Sequence, residues 1–174
     1  EVMTSAVCAA SPENMKNCAG AATVIARKAG IFGMVGGQSL DVLLTDKPVN
    51  EKEMEFIFNL KTGALIEAAF MAGAILAGAG KECVSQLEKA GNLVGVAFQI
   101  KDDILDVTST QEVLGKPVFS DEKNNKTTYV TLYGMEKAAA DVENMSEKAE
   151  SIVKSIGDNE FLIELINKLI SREK

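Results

Sequence analysis

Apolar residues recur at three- and four-residue spacing through almost the whole chain, so the pattern reads as one helix after another. A first helix is predicted from about Pro12 to Leu44, with Ser11 as its cap and Pro12 at the first helical position. Its glycines (Gly20, Gly30, Gly33, Gly36, Gly37) lower helix propensity by up to about 1 kcal/mol each relative to Ala. Tertiary contacts must offset that cost, and small residues allow another helix or a ligand to approach closely. Asp46-Lys47-Pro48 breaks the pattern, and Asn50 is placed to cap a second helix from about Glu51 to Gly80, whose first turns carry Glu51, Glu53 and Glu55. A third runs from about Glu82 to Val107.

Beyond it, Thr108-Ser109-Thr110, Gly115-Lys116-Pro117 and the polar stretch Ser120 to Asn125 read as loop. Thr127 to Tyr133 is β-branched enough for a strand. With no second strand to pair it, the stretch is assigned to the start of a helix continuing to about Ile156. A last amphipathic helix spans Asp158 to about Arg172, with Phe161, Leu162, Leu165, Ile166, Leu169 and Ile170 at helical spacing. No internal repeat or low-complexity tract is evident.

Length and charge narrow what such a bundle does. A chain of 174 residues fits one domain. Lys and Arg number 18 against 25 Asp and Glu, a net charge of −7, which argues against nucleic-acid binding. The absence of His excludes Ser-His-Asp and Cys-His catalysis and any imidazole zinc site. Residues 68–80 carry no charge, but the run is shorter than the roughly 20 residues a membrane span needs. It reads as a helix buried on all sides in the bundle, with no membrane span. Cys8, Cys18 and Cys83, an odd and widely spaced set, read as buried free thiols of a reducing compartment. The start, Glu1-Val2-Met3, carries no signal-peptide features and suggests that the natural N-terminus lies upstream.

The informative segment is Gly91 to Asp106. Placed on a helix with Asp102 at 0°, Asp106 falls near 40°, Gln99 near 60° and Asp103 near 100°. Leu93, Val96, Ala97, Ile100 and Ile104 cluster on the opposite side. Asn92, Gly95 and Gly91 extend the polar face downward, so a groove is expected there with the aspartates at its mouth. Neighbouring carboxylates repel unless a cation sits among them. Mg²⁺, which keeps waters and binds through one or two carboxylates plus substrate phosphates, is a natural solution; a solvated acidic face is the alternative. Lys61-Thr62-Gly63 interrupts an apolar helix, and Lys116 and Lys126 flank the loop after the aspartates, so lysines are available for a diphosphate.

Four segments in order then resemble a known family: Gly33-Met34-Val35-Gly36-Gly37-Gln38-Ser39-Leu40-Asp41, Lys61-Thr62-Gly63-Ala64-Leu65, Phe98-Gln99-Ile100-Lys101-Asp102-Asp103-Ile104-Leu105-Asp106, and Gly115-Lys116-Pro117 through Ser120-Asp121 to Lys126-Thr127-Thr128-Tyr129. The chain resembles the C-terminal portion of a trans-isoprenyl diphosphate synthase (polyprenyl synthetase), of the bacterial farnesyl or geranylgeranyl diphosphate synthase type. The resemblance implies an all-α terpenoid-synthase bundle around a central cavity, here residues 1–174 of one domain without its N-terminal helices. It implies a cytoplasmic homodimer that uses Mg²⁺ to condense isopentenyl diphosphate with an allylic diphosphate. Asp102, Asp103 and Asp106 match the second of the family's two aspartate-rich motifs and would serve the metal. Lys61, Lys116 and Lys126 would contact the allylic diphosphate; Thr62 and Gln99 would line the site near the reacting carbons; Gln38 and Asp41 read as supporting residues. The first aspartate motif and the isopentenyl diphosphate site are not in this sequence, so residues 1–174 alone are expected to be inactive. A class I terpene cyclase and a catalytically silent regulatory subunit are the competing readings.

Overall fold

The computed structural model describes residues 2–108, 127–157 and 159–172. Among them every regular element is a helix and none is a strand. In chain order they are α1 (Val2–Ala9), α2 (Met15–Ala29), α3 (Met34–Leu43), α4 (Glu51–Ile57), a π-helical segment (Phe58–Gly63), α5 (Ala64–Leu76), α6 (Lys81–Thr108), α7 (Tyr129–Tyr133), α8 (Met135–Ile156) and α9 (Glu160–Ser171). The loop residues 109–126 and Asp158, where the last helix was expected to begin, lie outside the described residues.

The helix expected from Pro12 to Leu44 is two helices. The Gly30 N–H bonds back to the carbonyls of Ala26 and Arg27, closing α2. At Gly33 a Cβ would lie 1.8 Å from the Lys28 carbonyl oxygen, so the turn between α2 and α3 requires glycine. Nor does Ser11 cap by its side chain: its carbonyl accepts from the Asn14 and Met15 N–H groups at 3.0 and 2.9 Å, and a turn leads into α2. Asn50 does cap α4. Its Oδ1 accepts from the Glu53 N–H at 3.0 Å, and the Glu53 carboxylate accepts from the Asn50 N–H at 2.9 Å.

The expected helix 51–80 widens into a π-helical turn at Phe58–Gly63 and ends at Leu76. Its apolar continuation α5 is not buried on all sides. Ala64, Ala68, Ala72 and Ala74 face inward between α2 and α6, whereas Leu65 and Leu76 are 42% and 53% exposed. The face at 65, 69, 73 and 76 has no covering element among the described residues. Ile31, Phe32, Val42 and Leu43 are exposed as well. By length and composition alone, Met15–Leu43 and Glu51–Leu76 are apolar enough to cross a membrane. The first is interrupted at the Gly33 turn, and the second packs its alanine face into the bundle.

Helix α6 is the centre, flanked by α5 on one side and α8 on the other. Two apolar clusters hold it. Ile100 packs with Met54, Ile57, Phe58, Ala138 and Val142; Ala90 and Val94 pack with Ala149, Val153 and Ile166 of α8 and α9. The predicted helix 127–156 is broken once, at Gly134, whose φ of 83° separates α7 from α8. Thr128 caps α7. The cysteines are free, but none is buried, and Cys8 is exposed.

Candidate active site

The local register of α6 explains what the site contains. Gly95 packs against the π-helical segment so closely that a Cβ there would stand 2.5 Å from the Gly63 Cα. Gly91 likewise packs on the Glu67 backbone. The groove expected beneath the aspartates is therefore filled at these two positions by a neighbouring backbone. Asn92 of that polar stripe lines open clefts, beside Asn59 and Leu93. The small residues serve helix–helix approach, and the π-helical turn fits against them.

That turn presents Lys61 and Thr62. A π-helical turn inside an α-helix shifts the register of the residues after it and often marks a functional site. Lys61 Nζ donates to Asp41 Oδ2 of α3 at 2.5 Å. Thr62 Oγ1 donates to Gln99 Oε1 of α6 at 2.9 Å. Helix α3 reaches the turn through Gly37, where a Cβ would lie 2.4 Å from the Lys61 backbone nitrogen. Asp41, Lys61, Gln99, Asp103, Thr127 and Thr128 help to line one cavity of about 30 Å³, room enough for water. Residues 62 positions apart in the chain, Asp41 and Asp103, thus line one small space, which Leu44, Val49, Met54, Ile57 and Phe58 wall on its apolar side.

The three aspartates do not share one environment, as the helical projection had suggested. Asp103 and Asp106 are buried at 6% and 3% exposure. Asp103 Oδ2 accepts the Tyr129 backbone N–H at 2.7 Å, which ties it to the start of α7. The Asp102 side chain is 42% exposed, and its Oδ1 accepts from Arg172 at 2.6 Å. No three Asp, Glu or Cys side chains converge as a ligand set among the described residues. The donors offered are carboxylate, amide and hydroxyl oxygens. They fit a hard divalent ion that brings its own waters and phosphate oxygens, and not a cage formed wholly by protein. Lys116 and Lys126 lie outside the described residues. Gln38 is half-buried and does not line the cavity, whereas Asp41 pairs directly with Lys61.

Behind the site stands a second polar cluster. Lys28 of α2 pairs with Glu67 of α5 and donates to Glu88 Oε1 of α6 at 2.7 Å. Asn92 Nδ2 donates to Glu67 Oε1 at 2.6 Å and to Asn59 Oδ1 at 2.8 Å. Burial alone would lower the Lys28 pKa, but its hydrogen bonds to Glu67 and Glu88, with their charges, outweigh that and raise it. On α7, burial first and the hydrogen bond to Asp141 second push the Tyr129 phenol well above its ordinary value. The hydrogen bonds from Lys137 and Tyr129 hold the Asp141 carboxyl down.

Reading the sequence alone does not reveal the Tyr129 amide or Arg172 as site residues. A backbone donor has no side-chain signature. Arg172 approaches α6 only because α9 packs back on it, 70 residues away in sequence.

The polyprenyl synthetase family model matches residues 3–166. The farnesyl diphosphate synthase of Escherichia coli is 37% identical over 155 residues, covering 86% of this chain and 52% of its own length. A geranylgeranyl pyrophosphate synthetase from Pyrococcus horikoshii superposes with a TM-score of 0.82 at 26% identity, over 98% of this chain and 63% of that one. A geranyltransferase of Helicobacter pylori, complexed with magnesium and isoprenyl diphosphate, gives 0.75 at 27% identity, over 93% and 52%. The chain spans about half the length of the curated relatives it matches.

Proposed function

This chain belongs to the polyprenyl synthetase family, and from that premise we propose that the protein containing it is a chain-elongating prenyltransferase. Its substrates are isopentenyl diphosphate and an allylic diphosphate, its metal is Mg²⁺, and it works as a cytoplasmic homodimer. The observation that carries this reading is that Lys61, Gln99 and Asp103, from facing elements, line one cavity, with Thr62 hydrogen-bonded to Gln99. A cation, two neutral dipoles and carboxylates side by side suit a substrate with a charged head and a cationic reacting carbon. The names of the relatives and the magnesium complex of one neighbour support the same reading.

Asp102, the exposed carboxylate, would hold the ion, with Asp103 and Asp106 fixing the helix turn that presents it. When bound, Mg²⁺ draws negative charge onto the leaving diphosphate. Lys61 exchanges part of its contact with Asp41 for diphosphate oxygens, as a point charge. The allylic C–O bond breaks with its electron pair leaving on the diphosphate. The isopentenyl double bond then attacks the allylic carbon, and the tertiary cation so formed loses a proton to the released diphosphate as the new double bond forms. The hydrogen-bonded Thr62–Gln99 pair would offer oxygen dipoles near the carbon where the cation develops. Lys116 and Lys126 would add charge to the diphosphate from the segment before α7.

The test is product formation by the full-length protein supplied with both diphosphates and Mg²⁺, with a chelator control. A Mg²⁺-dependent longer prenyl diphosphate is expected. Cyclised hydrocarbon would move the assignment to a terpene cyclase. No product from the folded, full-length protein would leave the silent regulatory subunit. The segment 1–174 alone is expected to form no product.

A further inference from the structure

The residue after α9 folds back onto the candidate metal face. Arg172 stacks its guanidinium over the Phe98 ring, 3.5 Å from the centroid. Its Nη2 donates to the Phe98 carbonyl at 3.0 Å and to Asp102 Oδ1 at 2.6 Å. Phe98 and Asp102 are one helical turn apart, so the planar guanidinium spans the two residues of α6. Its Nε is buried without a hydrogen-bond partner among the described residues. The contact is thus strong at one edge and incomplete at another.

Among the three aspartates, Asp102 is the one with an exposed side chain; Asp103 and Asp106 are buried. The side chain best placed to meet an incoming cation is therefore already paired with a cation of the chain itself. We propose that Arg172 is a positioning residue for Asp102 and an internal competitor of the divalent ion. It holds the carboxylate in place in the unliganded site and gives up Oδ1 when a metal–diphosphate group arrives, which releases the end of α9. Arginine keeps its proton at any working pH, so the exchange proceeds by movement of the side chain and not by titration. This inference rests on the reading of Asp102 as a metal-binding residue.

The full-length protein carrying Arg172→Gln or Arg172→Lys is compared with wild type, with inorganic diphosphate as the probe. Thermal unfolding is followed against Mg²⁺ concentration at fixed diphosphate, and amide hydrogen exchange is read at residues 166–172. Arg172→Gln is expected to lower the half-saturating Mg²⁺ concentration about three- to fivefold, the scale of a part-exposed ion pair. Arg172→Lys keeps the charge and should stay nearer wild type. In wild type, Mg²⁺ with diphosphate is expected to speed exchange at 166–172 about tenfold by opening that end locally. A wild-type response to Mg²⁺ with an unchanged or higher half-saturating concentration in Arg172→Gln overturns the competition and leaves the metal reading intact. Unchanged exchange at 166–172 in wild type that does bind the ion also overturns it, without recourse to any variant. Absence of any Mg²⁺ response in wild type defeats the metal reading itself, and the competition with it.

Discussion

Two lysines in this bundle illustrate how similar contacts serve different ends. Lys28 and Lys61 are both partly covered, and each pairs with a carboxylate on another helix. Lys28 sits between Glu67 and Glu88, and Glu67 accepts from Asn92 as well. Its charge is matched more than once, and the cluster clamps α2, α5 and α6 together. Lys61 has Asp41 as its paired carboxylate and stands in a π-helical turn that lines the site cavity. The first cluster is placed to hold the helices; the second is placed to exchange partners. An ammonium with two protein carboxylates has little to gain from a phosphate. One with a single ion-pair partner among the described residues, in a widened turn, can share itself with a ligand.

The sharpest way to break the comparison is to destroy the close packing on which both clusters depend. In the full-length protein, Gly95→Ala would place a Cβ 2.5 Å from the Gly63 Cα, where only backbone movement makes room. A loss of about 3 kcal/mol by denaturant unfolding is expected, with activity falling because the Lys61 turn moves. The next comparison separates the lysines. Lys61→Met is expected to lower kcat/KM about a hundredfold while changing stability by less than about 1 kcal/mol. Lys28→Met should do the reverse, costing about 2 kcal/mol of stability because Glu67 loses its buried counter-ion, with turnover of the folded protein retained. Asp102→Ala belongs with Lys61: turnover falls by about a hundredfold or more, with helicity by circular dichroism unchanged.

The pH dependence sharpens the same contrast. The raised Lys28 and Tyr129 pKa values mean that both groups favour their protonated forms in the folded state. Their contribution is complete below the ordinary values of 10.5 and 10.0 and is lost as pH rises through the folded ones, so stability should fall above about pH 10. Lys28→Met should flatten part of that fall, and Lys61→Met should not. The lowered Asp141 pKa acts at the other end: its contribution is present above 3.8 and is lost as pH falls below that. Tyr129→Phe should weaken this acid limb, because one of the donors holding Asp141 down is removed. The smallest effect is expected at Asn50→Ala, about 1 kcal/mol by thermal unfolding with no change in kcat, since the capping box lies at the far end of α4 from the π-helical turn.

Much of the fold is legible in the order of residues. Apolar spacing and the Asn50-x-x-Glu53 pattern locate α4 and its start, because a cap acts over three residues of contiguous chain. Asp102, Asp103 and Asp106 lie within one turn of helix, so their proximity follows from the helix alone. The breaks at Gly33 and Gly134 had glycine as a signal, yet the same residue also serves inside helices for close approach, as Gly95 does. Sequence does not separate the two uses. The π-helical turn at Phe58–Gly63 left only a trace, a polar Lys61-Thr62 pair in an apolar run.

What the sequence by itself determined was the helical class, the order of most helices and the residue types gathered along α6, because these depend on local periodicity and covalent order. The tertiary structure decided which faces became interior. The helical projection put the three aspartates on one polar side, but tertiary packing buried Asp103, which bonds to the start of α7, and Asp106, and left Asp102 in reach of solvent. It also decided that Asp41 meets Lys61, that the Tyr129 amide meets Asp103, and that Arg172 meets Asp102. Those pairings depend on how whole helices pack, and side chains far apart along the chain carry no local record of it.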